Sequence, residues 1–113
     1  MVLDYNYRKR EFNMNLNIVA VCENEQSARA LEVAGKELGY IISCEIQESN
    51  KIENKLSEET IKSSNVVLFV TNKSIEEIEE IERFIDREYY EVEPKFVIEN
   101  PINVLSEISS DLN

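Results

Sequence analysis

The sequence predicts an α/β fold: a four-stranded parallel sheet in the order 2-1-3-4, with helices on both faces, a Rossmann-like three-layer arrangement. Three observations carry this. Short apolar runs alternate with segments whose apolar residues recur at helical spacing. The first and third runs are nearly unbroken, as in strands buried on both faces. Repeated strand–helix alternation implies right-handed crossovers between parallel strands.

The first strand is the run Leu16-Asn17-Ile18-Val19-Ala20-Val21, which delivers Cys22 at its end. A helix follows, because Ser27, Ala28, Leu31, Ala34 and Leu38 share one face. Gly39 supplies the left-handed residue that ends it. Residues 40–46 form the second strand. A loop with Asn50 and Asn54 leads to a short helix capped by Ser57. Residues 65–71 form the third strand. Ile75, Ile78, Ile81, Phe84 and Ile85 make a helical stripe with glutamates outside it. Tyr89-Tyr90-Glu91-Val92 reads as the fourth strand, and Pro101 as the first residue of a last helix facing inward through Ile102, Leu105 and Ile108. The expected core is Ile18, Ala20, Leu31, Leu38, Ile42, Val67, Phe69, Ile78, Ile81 and Leu105. Residues 1–13 read as a flexible N-terminal arm or an added strand, with Met14 as an alternative start. Residues 14–113 read as one domain.

Composition narrows the function. The chain has 113 residues, 23 acidic and 12 basic, for a net charge of −11. Phosphate neutralisation needs clustered Lys and Arg, and Arg8-Lys9-Arg10 is too short a run, so no nucleic-acid partner is expected. There is no histidine, which excludes a His general base or His ligand in this chain. The two cysteines, Cys22 and Cys44, are far apart and form no C-x-x-C, so neither a metal nor a cofactor is expected. No stretch is apolar enough to span a membrane and no signal-peptide pattern opens the chain, so a cytoplasmic setting is expected.

Cys22 is the candidate catalytic residue. A thiol at a strand's carboxyl end faces first-turn amides and the positive end of a helix dipole, which favour anions and lower a cysteine pKa. Asn24, Gln26, Ser27 and Arg29 are the nearby groups that could hold a phosphate. Gln47 and Asn72 are polar residues at neighbouring strand ends. Glu23 and Glu25 argue the other way, since carboxylates repel both thiolate and phosphate. Cys44 lies within a strand and reads as core. A free cysteine packing as a small hydrophobe is the plain alternative for Cys22 also.

Residues 17–107 resemble the enzyme IIB domain of the fructose-specific sugar phosphotransferase system. Ile18-Val19-Ala20-Val21 leading to Cys22 carries the likeness, with Lys36-Glu37-Leu38-Gly39-Tyr40, Glu45-Ile46-Gln47 and Ile52-Glu53-Asn54-Lys55-Leu56-Ser57. Asn65-Val66-Val67-Leu68, Arg83-Phe84 and Tyr90-Glu91-Val92 complete it. The resemblance implies a strand-end cysteine that takes a phosphoryl group from a phosphohistidine on enzyme IIA and passes it to a sugar held by enzyme IIC. The chain departs from the family where that chemistry sits. A Pro-Thr-Gly turn with a following His is replaced by Glu23-Asn24-Glu25-Gln26-Ser27-Ala28-Arg29, a stretch shorter by more than one helical turn. Asn72, Glu48 and Asp86-Arg87 stand where the family has an acidic residue, a glycine and a Gly-Lys pair. Two functions follow: a phosphoryl carrier with a degenerate loop, or a transfer-inactive module that binds enzyme IIA, enzyme IIC or a regulator.

Overall fold

The computed structural model describes residues 16–112, and the arm expected at residues 1–13 lies outside them. The elements are β1 (Asn17–Cys22), α1 (Glu25–Leu38), β2 (Ile41–Glu48), β3 (Lys51–Glu53), α2 (Glu58–Lys62), β4 (Val66–Val70), β5 (Tyr89–Val92), α3 (Pro94–Glu99) and α4 (Pro101–Leu112). Two 3-10 turns, Ile75–Glu77 and Ile81–Phe84, lie between β4 and β5.

The sheet order is β3-β2-β1-β4-β5. β1 lies between β2 and β4, parallel to both, and β5 is parallel to β4. The four expected strands therefore run parallel, with the first one central. The expected four-stranded, all-parallel sheet is corrected by β3, which pairs antiparallel with β2 and makes the sheet mixed and five-stranded. A two-residue turn does this: Ser49 and Asn50 have φ of 55° and 64°, the backbone that lets a hairpin close. The hairpin adds an edge strand and leaves the crossover to β4 intact.

Each face of the sheet carries its own core. Ile18, Ala20, Cys22, Leu68 and Val70 point toward α1, α3 and α4. Val19, Val21, Val67 and Phe69 point toward Leu56, Ile61, Ile78 and Phe84. This is the three-layer arrangement. Seven of the ten expected core residues are buried, while Leu38, Ile42 and Ile81 are half-buried at its margin. The helix expected over Ile75–Ile85 is absent: extended Ile78 and left-handed Glu80 break the segment into the two 3-10 turns, and Ile85 is 67% exposed. α3 was not foreseen; Pro94 starts it and Asn100 joins it to α4, capping Asn103 N–H with its side chain.

Candidate functional site

The crevice at the carboxyl ends of β1 and β4 is the site this topology offers. Cys22 is the last residue of β1, paired with Ile46 on one side and Val70 on the other. The Glu23 N–H extends the ladder to the Val70 carbonyl at 3.0 Å. Asn24 then caps α1, accepting the Ser27 N–H on Oδ1 at 2.8 Å, and the helix begins at Glu25. Only two residues thus separate strand from helix. No loop remains in which several amides converge on an anion.

The short junction seats α1 directly over the thiol. Cys22 is fully buried within the core facing α1 and α3. Cys44 lies on the same face of β2, opposite Ala20, with its thiol donating to the Ala28 carbonyl at 3.8 Å. Hydrogen bonding with Cys44 and then burial push the Cys22 thiol far up from its ordinary value, with Glu32 adding a smaller repulsion. The thiol is therefore neutral near pH 7. The lowering that the strand-end position would favour is overturned, by Cys44 and burial first; Glu23 and Glu25 are not among the causes.

Those two carboxylates are committed elsewhere. Glu23 accepts the Thr71 hydroxyl at 2.8 Å, the Asn72 N–H at 2.9 Å and the Asn72 side-chain amide at 3.4 Å. It thus ties the end of β1 to the end of β4. Glu25 and Glu32 share Arg29 on the outer face of α1, at 3.4 and 2.5 Å. Arg29 is drawn away from the crevice and neutralises nothing there. Gln26 is exposed on α1, and Ser27 is fully buried with a hydroxyl that finds no partner among the described residues. Of the phosphate-loop residues read from sequence, Arg29 is engaged with Glu25 and Glu32 and Gln26 is exposed, while the Ser27 hydroxyl and the Asn24 side-chain N–H groups have no partner among the described residues. The cavity beside it, between Glu23, Gln47, Thr71 and Lys73, measures about 10 Å³. That is at the lower limit for one water molecule.

Gln47 belongs to a network that sequence reasoning missed. Its amide donates to Glu45 Oε2 at 2.8 Å and to the Glu79 carbonyl at 3.1 Å, and its oxygen accepts the Glu79 N–H at 2.9 Å. Arg83 grips the fully buried Glu45 carboxylate with two hydrogen bonds of 2.8 Å, and the Leu56 N–H adds a third at 2.9 Å. Burial alone would raise the Glu45 pKa; the bonds from Arg83, Gln47 and Leu56 outweigh it and hold the carboxyl below its usual range. The network pins the 79–83 segment and residue 56 against the end of β2. Its signal in the sequence was a charged residue inside an apolar strand, Glu45 between Cys44 and Ile46.

Comparison with known proteins agrees with this architecture. The chain is similar to a domain of the fructose-specific IIABC component of Borrelia burgdorferi, with 34% identity, a TM-score of 0.72, and coverage of 82% of this chain and 92% of that one. It is 28% identical to the PTS system fructose-like EIIB component 1 of Escherichia coli K12, over 84% of this chain and 92% of that protein. It is 30% identical to the fructose-like PTS system EIIBC component of the same organism, but spans only 17% of that protein's length. No family model matches the chain.

Proposed function

This chain belongs to the fructose-type enzyme IIB domains of the sugar phosphotransferase system, and from that membership we propose that it serves as the IIB component of such a relay, between enzyme IIA and enzyme IIC in the cytoplasm. Cys22 stands at the phosphoryl-acceptor position. Its place as the last residue of the central strand, under the first turn of α1, is the observation that carries the reading. In the forward step a thiolate Sγ would form a P–S bond as the P–N bond of a IIA phosphohistidine breaks, and the imidazole would regain a proton. In the second step the P–S bond would break as a sugar hydroxyl, losing its proton, takes the phosphoryl group.

A second reading is favoured by one observation. Cys22 is enclosed, its thiol is held neutral, and about 10 Å³ is open beside it. A module that docks on enzyme IIA or IIC without taking phosphate fits that closure. Incubation with a phosphorylated fructose-type IIA protein, read by intact mass, separates the two. Stoichiometric labelling that disappears in Cys22→Ser establishes the carrier. Complex formation without labelling establishes the docking module. Neither labelling nor binding of a IIA or IIC partner would sink the assignment to the relay.

A further inference from the structure

We propose that the groove between β5 and α4 docks a basic peptide segment of a partner protein, seating an apolar side chain on its floor and Lys or Arg against its rim. The groove has a cavity volume of about 630 Å³. That lies within the roughly 300–1,000 Å³ typical of ligand clefts. Leu68, Val92, Phe96, Val104 and Ile108 supply its apolar surface, and Phe96 is 47% exposed. Glu91, Glu107 and Asp111 are its charged lining, and no Lys or Arg lines it among the described residues. None of its described lining residues borders the cavity beside Cys22, so the inference does not depend on the carrier reading.

Charge complementarity fixes the occupant. Asp111 receives the Tyr90 hydroxyl and Glu107 the Asn103 amide at 3.3 Å, both neutral donors. Among the described residues none of the three rim carboxylates has a cationic partner. Each keeps acceptor sites that a guanidinium or ammonium can fill. The Phe96 ring already attracts a cation: the Lys95 ammonium, which also pairs with Glu93 at 3.9 Å, lies 5.1 Å from its centroid. An acidic or neutral segment would bring no compensation for the rim.

The test is fluorescence anisotropy of the full chain with a labelled peptide alternating arginine with leucine, beside a counterpart carrying glutamine for arginine. The arginine peptide should bind, more weakly as salt rises, and the glutamine peptide should not. Glu107→Lys with Asp111→Lys should weaken binding by about tenfold or more. Glu58→Lys with Glu59→Lys makes the same charge change on α2, on the other face of the sheet, and should leave affinity unchanged. Should the groove pair fail to fold by circular dichroism, Phe96→Ala should show the loss instead. Equal binding of both peptides, or equal losses from the groove and α2 pairs, overturns the proposal. So does tighter binding after Arg8→Glu, Lys9→Glu and Arg10→Glu, which would make the chain's own basic run the occupant. A dimer in sedimentation equilibrium that the groove pair dissociates would make a second copy the occupant and overturns it as well.

Discussion

At the scale of single residues, two buried groups make stability depend on pH. The Cys22 thiol is raised by Cys44 and by burial, so folding keeps a proton that the unfolded chain releases above about pH 8.5. The folded state then binds more protons, and stability falls as pH rises. Urea melts between pH 7.5 and 9.5 should show a loss approaching about 1.4 kcal/mol per pH unit above the unfolded pKa. Cys22→Ala should flatten that slope; an unchanged slope would mean that the thiol ionises in the folded protein. Glu45 works at the other end. Its folded pKa is lowered, so its contribution is complete above about pH 4.3 and is lost as pH falls through the folded value. Arg83→Met leaves the fully buried carboxylate without its cation and should cost about 3–5 kcal/mol at pH 7. The cost should shrink on acidification, as Glu45 protonates. The location of Cys22 could be read from the chain, because the end of an apolar run is a local property. Its enclosure could not, because that depends on how closely α1 descends on the sheet.

At the scale of elements, the closeness of α1 to the sheet is set by Gly35. A Cβ added there would lie 2.3 Å from Cγ1 of Ile42 on β2. Helix propensity alone would make Gly35→Ala stabilising by about 1 kcal/mol. The clash should reverse the sign and give a loss of about 1–3 kcal/mol. Gly35→Ala with Ile42→Ala should lose less than the sum of the two single changes, since removing the Ile42 side chain clears the space. Additive losses in denaturant melts would argue that α1 can shift. On the opposite face, Phe69 packs edge-on against Phe84 and Tyr89, each with a centroid separation of 5.5 Å. Phe69→Ala should cost about 3–5 kcal/mol through the cavity it leaves. The strands and α1 were legible because a continuous apolar run or a clean helical stripe leaves one packing solution. The 75–85 segment misled because its isoleucines sit at helical spacing while tertiary bonds dictate otherwise. Gln47 holds both backbone groups of Glu79, and Lys55 reaches Glu80 at 2.9 Å. Glutamates at 76 and 80 would also face each other one turn apart in a helix, which disfavours it. β3 escaped notice because three residues are too few to show alternation.

For the whole molecule, the fold is that of the fructose-type IIB domains while only about 10 Å³ is open beside Cys22. A phosphoryl group on Sγ needs donors around three oxygens and a path for the incoming phosphohistidine. Here Arg29 is held by Glu25 and Glu32, Thr71 and Asn72 are taken by Glu23, and Asn24 accepts the Ser27 N–H on Oδ1, which leaves the Asn24 side-chain N–H groups and the Ser27 hydroxyl as the donors not engaged among the described residues. An uncompensated carboxylate about 5 Å from the group would cost on the order of 3 kcal/mol per unit of phosphate charge at an effective dielectric constant of about 20. On the docking-module reading, weak or no labelling of Cys22 by phosphorylated IIA is the expected result for the unmodified chain. Two variants separate charge from architecture. Glu23→Gln removes a charge and loosens the tie to Thr71 and Asn72, yet leaves α1 seated on the thiol, so labelling should rise little. Lengthening the Glu23–Ser27 junction into a Pro-Thr-Gly turn with a following His lifts the helix start and restores converging amides, so labelling should rise strongly. Iodoacetamide reactivity in a Cys44→Ser background should follow the same order, because an accessible thiolate is needed for either reaction. If Glu23→Gln matched the rebuilt loop in both measurements, charge rather than enclosure would be what limits Cys22. If the rebuilt loop exposed the thiol to alkylation but gave no labelling, the missing element would lie in the docking of enzyme IIA.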